Sequence, residues 1–255
     1  MKTLVVGSGA MGRWFGRVLT EELDASVTFV DTDAEVAREA ASSVGGRSII
    51  PASDGGLSAT ERFDVVCVAV PIPAASTVLA QYGSHAETAL FDVTGQMADP
   101  VAAMARFDCE RASLHPLFAP ENEPGNVPAV IVDGGETVDA VLSALASRGN
   151  TVFETTAAEH DRAMETVQAK AHAAILAFAL SAQSVPAEFQ TPVSSALSDL
   201  AATVTSGESR VYADIQNAFS GADSVAKAAT ELADADEPTF MRLYERASRF
   251  HEESQ

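Results

Sequence analysis

The chain has 255 residues, of which 47% are hydrophobic and 20% charged. That is enough apolar material for one large or two small packed domains, and too little charge for wholesale disorder. Asp and Glu number 36 against 16 Lys and Arg, a net charge of −20 that offers no clustered basic surface for nucleic acid. Two cysteines, Cys67 and Cys109, cannot form a disulfide framework and match no zinc spacing. The longest apolar run, Ala173 to Leu180, is too short to span a bilayer, and the opening segment has no signal-peptide core. The expectation is a soluble cytoplasmic protein with no membrane partner and no metal.

Strands and helices alternate through the first half. Leu4–Val6 reads as a strand, Met11–Leu23 as a helix with Trp14, Phe15, Val18 and Leu19 at helical spacing, and Val27–Val30 as a second strand ending at Asp31. A helix over Ala34–Val44 follows, then strands at Arg47–Ile50 and Val65–Val70 and a helix over Ala74–Gln81. A strand at Leu90–Val93, a short helix over Pro100–Phe107 and a strand at Ala112–Leu114 complete that series. Beyond a turn-rich loop, Ala119 to Pro128, come a strand at Val130–Val132, a helix over Val138–Ser147 and a final strand at Thr151–Glu154. Such alternation implies βαβ units: a doubly wound parallel sheet with helices on both faces, an α/β Rossmann domain.

The pattern changes near residue 155. Thr156 and Glu159 fit a capping box opening a long helix that should reach about Ser184, ahead of Pro186. From Thr191 to Phe250 the chain is alanine-rich and helical in pattern, broken near Gly207 and Gly221, with His251–Gln255 expected to fray. The expected organisation is a Rossmann domain over residues 1–155 and an all-α domain over 156–255.

Gly7-Ser8-Gly9-Ala10-Met11-Gly12 matches G-x-G-x-x-G between a strand and a helix. Gly7 permits the tight turn, Gly9 lets the backbone approach a pyrophosphate, and Gly12 lets helix pack on strand. The amides opening the helix at Ala10 and Met11 supply donors and a positive dipole end. Asp31 closes the second strand 24 positions after Gly7. That suits an acid binding the ribose 2′-hydroxyl, expected roughly 20 residues on, and it repels a 2′-phosphate, so NAD is favoured over NADP. Val70 and Pro71, leaving the fourth strand at the same sheet edge, should line the cleft; for Pro71 a simple turn-forming role weighs equally.

His115 follows a strand and should sit at that edge too. Asp161, Glu165, Gln168 and His172 are spaced to form one stripe along the long helix, about three turns in length. The stripe fits either a satisfied polar network or the roof of a substrate cleft.

These residues carry a resemblance. Ser113-Leu114-His115-Pro116-Leu117-Phe118-Ala119-Pro120 resembles the His-Pro motif of prephenate dehydrogenases. Glu159-His160-Asp161-Arg162 through Gln168 and His172 is similar to that family's helix into its second domain, and Val211-Tyr212-Ala213-Asp214-Ile215-Gln216 to its Tyr-Ala-Asp-Ile segment. The Gly-rich turn with Met11-Gly12-Arg13-Trp14-Phe15 resembles archaeal members. The four segments come in the family's order over nearly the whole chain.

The resemblance implies NAD-dependent oxidative decarboxylation of prephenate, or of arogenate, in tyrosine biosynthesis, with a small anionic substrate and a homodimer built through the helical domain. It puts the catalytic histidine at His115, taking the C4 hydroxyl proton as hydride leaves C4. It puts gate acids at Glu121 and Asp161 and a second active-site histidine at His172, with Gln168 between. Two departures stand out. The family's carboxylate-binding arginine falls on Thr203, leaving Arg210, and next Lys170, as replacements. The family's Ser-Val-Lys run after the fifth strand is replaced by Thr94-Gly95-Gln96-Met97, with Thr94 the nearby hydroxyl. The alternatives are another Rossmann-plus-helical dehydrogenase and a non-catalytic NAD-binding paralogue.

The charge adds a separate expectation. Only Lys2, Lys170 and Lys227 are lysines, and the composition resembles that of haloarchaeal proteins. Self-repulsion at −20 is screened in concentrated salt, so a halophilic protein is expected.

Overall fold

The computed structural model describes residues 1–51 and 56–253. The chain divides into two compact units, Met1–Ala163 and Met164–Gln255.

The first unit is built on an eight-stranded sheet among the described residues. In chain order it comprises β1 (Lys2–Val6), α1 (Ala10–Leu23), β2 (Ser26–Val30), α2 (Ala34–Val44), β3 (Arg47–Ile49), β4 (Phe63–Val68), α3 (Ala75–Tyr82) and β5 (Ala86–Asp92). Then follow α4 (Ala98–Met104), β6 (Glu110–Leu114), β7 (Asn126–Asp133), α5 (Glu136–Ser147), β8 (Thr151–Glu154) and α6 (Ala157–Met164), whose last residue falls in the second unit. The strand order is β3-β2-β1-β4-β5-β6-β7-β8. The reversal beside β1 is the switch point of a doubly wound sheet, where ligands bind outside the carboxyl ends of strands.

Alternation along β1 shows why the sheet is covered on both faces. Val5 joins Trp14, Phe15, Val18 and Leu19 of α1 and Val138, Val141 and Leu145 of α5 in one buried cluster. Leu4 and Val6 point the other way, onto Leu79 and Tyr82 of α3 and Met104 of α4. Strands buried on both faces read as continuous apolar runs, as Val65–Val68 does.

Two strands depart from the expected parallel sheet: β7 runs antiparallel to β6, and β8, parallel to β7, shares its reversed direction. A parallel return needs a crossover of a dozen or more residues, usually helical. Only the loop from His115 to Gly125 joins β6 to β7, and its one helical piece is the 3-10 turn Pro120–Asn122. A clamp fixes this loop. Arg148 Nη2 meets Glu123 Oε2 at 2.9 Å, its Nη1 meets Glu21 Oε2 at 2.8 Å, and Asn150 Nδ2 donates to Glu123 Oε1 at 2.8 Å.

The capping box at the start of α6 forms: Glu159 N donates to Thr156 Oγ1 at 3.2 Å and Thr156 N to Glu159 Oε2 at 3.3 Å. The compact units divide eight residues further along, because His160 and Asp161 bond to groups of the sheet unit described below.

The second unit is helical: a π-helical turn over Glu165–Lys170, α7 (Ala171–Ser181), α8 (Pro192–Ser206), α9 (Ser209–Ala218), α10 (Gly221–Ala233) and α11 (Glu237–Glu253). Breaks fall at Gly207 and Gly221 as the sequence indicates, with a further one at Asp234–Asp236. Helix α7 stops at Ser181, short of the expected Ser184. Of the tail expected to fray, α11 continues through Glu253, and Ser254 and Gln255 lie outside the described residues.

The π turn changes the expected polar stripe. A wider turn puts successive side chains out of α-helical phase, so Glu165, Gln168 and His172 do not follow one straight line. The bulge also turns out a carbonyl, Ala169 O, which accepts from Gln216 Nε2 of α9 at 2.9 Å. Ser220 Oγ bonds Glu165 Oε1 at 2.8 Å, and Gly221 packs directly on the Ala169–Lys170 backbone.

Candidate active site

The sheet registers bring the carboxyl ends of four strands into one row: Val6 pairs with Val68, Val68 with Asp92, and Asp92 with Ser113. The segments leaving this row are the Gly7 turn, Val70–Pro71, Thr94–Gln96 and His115.

At the first, Gly7 adopts φ +97°, and a Cβ there would collide with Ala69 O. A Cβ on Gly12 would collide with Gly7 O, so helix α1 closes directly on the turn. A Cβ on Gly9 would meet nothing within 4 Å. Structure thus demands Gly7 and Gly12, whereas the openness at Gly9 is room for a ligand. Helix α1 has no side-chain N-cap, which leaves its first amides to a ligand, and Ala10 and Met11 sit in that turn. Asp31 Oδ2 accepts from Ser8 N at 2.7 Å and ties the end of β2 to the turn. Ser8 Oγ is buried with no hydrogen bond among the described residues. Val70 is half-buried beside Gly7, and exposed Pro71 caps the 3-10 turn Ile72–Ala74. These features fit a dinucleotide: open backbone, free amides and a carboxylate at the end of the second strand.

Asp92 is fully buried. Its Oδ1 accepts from Thr94 N at 3.1 Å and from Thr94 Oγ1 at 2.6 Å. Burial pushes its carboxyl up to about 7 against the pull of the Thr94 and Ser113 hydroxyls. The Thr94 hydroxyl also lies 3.0 Å from Gln96 O.

His115 is 8% exposed, and its backbone N donates to Pro128 O at 3.1 Å, so β7 fixes its place. Its Nδ1 lies 2.9 Å from Nε2 of His160, which is 3% exposed. His160 Nδ1 lies 2.8 Å from Asp161 Oδ1. Asp161 in turn accepts Met97 N at 3.0 Å on Oδ1 and Ala98 N at 3.1 Å on Oδ2, capping α4. Burial, and then His160, push His115 down to about 3, so it is neutral at physiological pH. Burial raises the Asp161 carboxyl, but its bonds to His160, Met97 and Ala98 outweigh this and hold it below the usual range.

Sequence reasoning places His160 in the first turn of its helix without a role, and names Met97 only as the end of the Thr94–Met97 run. No local pattern signals a contact between residues 45 apart. Glu121 sits exposed on the 3-10 turn before the Glu123 clamp.

No family model matches the chain. A 4-amino-4-deoxyprephenate dehydrogenase from Streptomyces pristinaespiralis is 30% identical over 94% of this chain and 88% of its own length. The chain belongs to the prephenate dehydrogenase family. A probable arogenate/prephenate dehydrogenase from Methanocaldococcus jannaschii is 23% identical over 84% of the chain, which spans about half (51%) of that relative. The fold is that of solved prephenate dehydrogenases. The one from A. aeolicus, in complex with hydroxyphenyl propionate and NAD+, has a TM-score of 0.69 at 14% identity, covering 99% of this chain and 98% of its own. Synechocystis arogenate dehydrogenase gives 0.59 at 15% identity, with 100% of each chain covered.

In this prephenate dehydrogenase chain the second unit holds the remaining predicted residues. The ring of His172 meets Tyr212 of α9 edge-on, with centroids 4.8 Å apart. His172 Nδ1 is buried with no hydrogen bond among the described residues, and burial lowers the pKa of the ring. Gln168 lies in the π turn, partly buried, as does Lys170. Arg210 is exposed in the first turn of α9 and in no ion pair among the described residues. Thr203 Oγ1 bonds its own helix at Asp199 O, 3.0 Å away.

Proposed function

We propose that the chain oxidatively decarboxylates prephenate to 4-hydroxyphenylpyruvate with NAD, a step of tyrosine biosynthesis. The observation that carries this reading is His115, a buried neutral base at the carboxyl edge of a sheet whose first turn is fitted to a dinucleotide. NAD, held by the Gly7–Gly12 turn and Asp31 with Val70 and Pro71 alongside, would supply the hydride acceptor for C4. His115 accepts the proton of the C4 hydroxyl, and burial shields it from competing water. Carbon dioxide leaves C1 as the ring becomes aromatic. Arg210, and next Lys170, are assigned to a substrate carboxylate; the absence of an ion pair at Arg210 among the described residues supports this. Gln168, His172, Thr94 and the acid Glu121 are assigned to substrate contact and gating by the family resemblance; Asp161, the other expected gate acid, has its oxygens taken by Met97 N, Ala98 N and His160 and is assigned instead to holding His160.

A second reading, with an amine replacing the hydroxyl at C4 or with arogenate as substrate, is supported by the names of the relatives. Formation of NADH with prephenate, arogenate and 4-amino-4-deoxyprephenate, in molar potassium chloride, separates them. His115→Asn should abolish turnover and keep NAD binding. Silence with all three substrates from folded, NAD-binding protein would favour a non-catalytic paralogue.

The same reading takes residues 1–155 as the cofactor domain and 156–255 as a substrate and dimerisation domain. A homodimer is supported by apolar exposure in the helical unit: Leu180 is 88% exposed, Phe189 73% and Val193 71%. Light scattering should return twice the chain mass. The free thiols Cys67 and Cys109 support a reducing, cytoplasmic setting.

A further inference from the structure

The proton in the bond between the two histidines can be located by elimination. Carboxylate oxygens of Asp161 only accept, and Oδ1 already accepts from Met97 N. His160 Nδ1, 2.8 Å from that oxygen, must therefore be the donor. With that single ring proton on Nδ1, the other nitrogen, Nε2, is the acceptor. The proton between the rings consequently belongs to His115 Nδ1, 2.9 Å away. That fixes His115 with a lone pair, not a proton, on Nε2.

We propose that His160 and Asp161 are positioning residues that hold His115 in its Nδ1–H tautomer and take up the positive charge formed when His115 Nε2 accepts the substrate proton. The inference rests on the proposed chemistry at His115. The proton balance is closed: the C4 hydroxyl proton moves to His115 Nε2, and the Nδ1 proton shifts along the existing bond to His160 Nε2. The positive charge then sits on His160, whose Nδ1–H already faces the Asp161 carboxylate.

Two further observations support the relay. Both rings are almost wholly buried, so neither water nor a mobile ion can neutralise a charge left on His115. Burial and His160 also depress the basicity of His115, so a base so placed holds a proton poorly unless the charge has a second home. The carboxylate is itself immobilised, since the amides of Met97 and Ala98 hold both of its oxygens.

The decisive measurement is the 15N spectrum of the imidazoles in the ligand-free protein, with His115→Asn and His160→Phe assigning the resonances. The relay requires wild-type His115 to be protonated at Nδ1 and bare at Nε2. In His160→Phe, where Nδ1 has no acceptor, the proton should move wholly or partly to Nε2. The same variant should lose kcat about a hundredfold, within the range general-base catalysis supplies, with KM changed less than about threefold and NAD affinity unchanged. His160→Gln, whose amide oxygen can accept from His115 Nδ1, should recover at least about tenfold of that loss. A purely structural role predicts no tautomer change and no recovery by glutamine. Wild-type His115 protonated at Nε2, or an undiminished kcat in His160→Phe, would overturn the relay. If His160→Phe does not fold, the wild-type spectrum and His160→Gln decide. If no substrate is turned over, the proposed function fails by itself, and the wild-type tautomer still upholds or overturns the relay.

Discussion

The Cβ that Gly95 lacks would stand 3.6 Å from Nε2 of His115 and 3.2 Å from Cδ1 of Ile72. A side chain at position 95 would therefore stand against the nitrogen proposed to accept the substrate proton. Gly95→Val should lower kcat/KM by at least about tenfold, because its side chain would crowd Ile72 and His115 Nε2; an effect of this size is about 1.4 kcal/mol. NAD affinity measured by fluorescence titration should stay near wild type.

The glycines of the first turn should separate by experiment. Gly9→Ala meets no protein atom, so its melting temperature should match wild type while NAD affinity falls at least about tenfold. Gly12→Ala drives a methyl into the Gly7 carbonyl, so it should lose both stability and NAD binding. Equal melting temperatures for the two variants would contradict this division.

Asp92 makes a pH prediction. Its folded pKa, about 7, is raised above the unfolded value, so folding favours the protonated form. Below about pH 4 both states are protonated and the group has no effect on stability. As pH rises towards 7 the unfolded state ionises first, and stability is progressively lost, by at most about 4 kcal/mol. Asp92→Asn should remove this loss. Denaturant titrations of the two proteins should diverge between about pH 4 and 7, with the variant the more stable above.

In the helical unit, a Cβ on Gly221 would lie 2.6 Å from the backbone of Ala169 and Lys170. Gly221→Ala should cost about 1–3 kcal/mol by overpacking. Gln216→Leu, which strips Ala169 O of its donor, should cost about the same by leaving a buried carbonyl unpaired. Chemical denaturation checks both.

A net charge of −20 should make the melting temperature climb from dilute buffer to molar potassium chloride. The Debye length shrinks to about 3 Å at that strength, which quenches repulsion among exposed carboxylates. A flat profile would count against the halophilic expectation.

The parts of this structure that are periodic were legible in the sequence. Apolar runs such as Val65–Val68 and the Gly7–Gly12 turn place the sheet and its ligand edge, because local spacing alone determines them. The direction of β7 was hidden, because Asn126 and Pro128 resemble turn residues and orientation depends on a missing crossover helix. The π turn was hidden as well: Glu165–Lys170 has ordinary helix formers, and what holds its bulge is Gln216, far along the chain. Thr94 was legible as a hydroxyl near the site, but its partner Asp92 is apparent only once β5 is in place. The pairing of His115 with His160 is likewise tertiary, joining a strand end to a helix start.

Asp161 spends its two oxygens on three donors: the amides of Met97 and Ala98 and the ring of His160. One residue thus fastens a helix end and aims a histidine, and no replacement can give up one duty without disturbing the other. Drift at position 161 is opposed from two directions, by loss of fold and by loss of aim. Position 121, on an open turn a few residues past His115, carries no such double obligation.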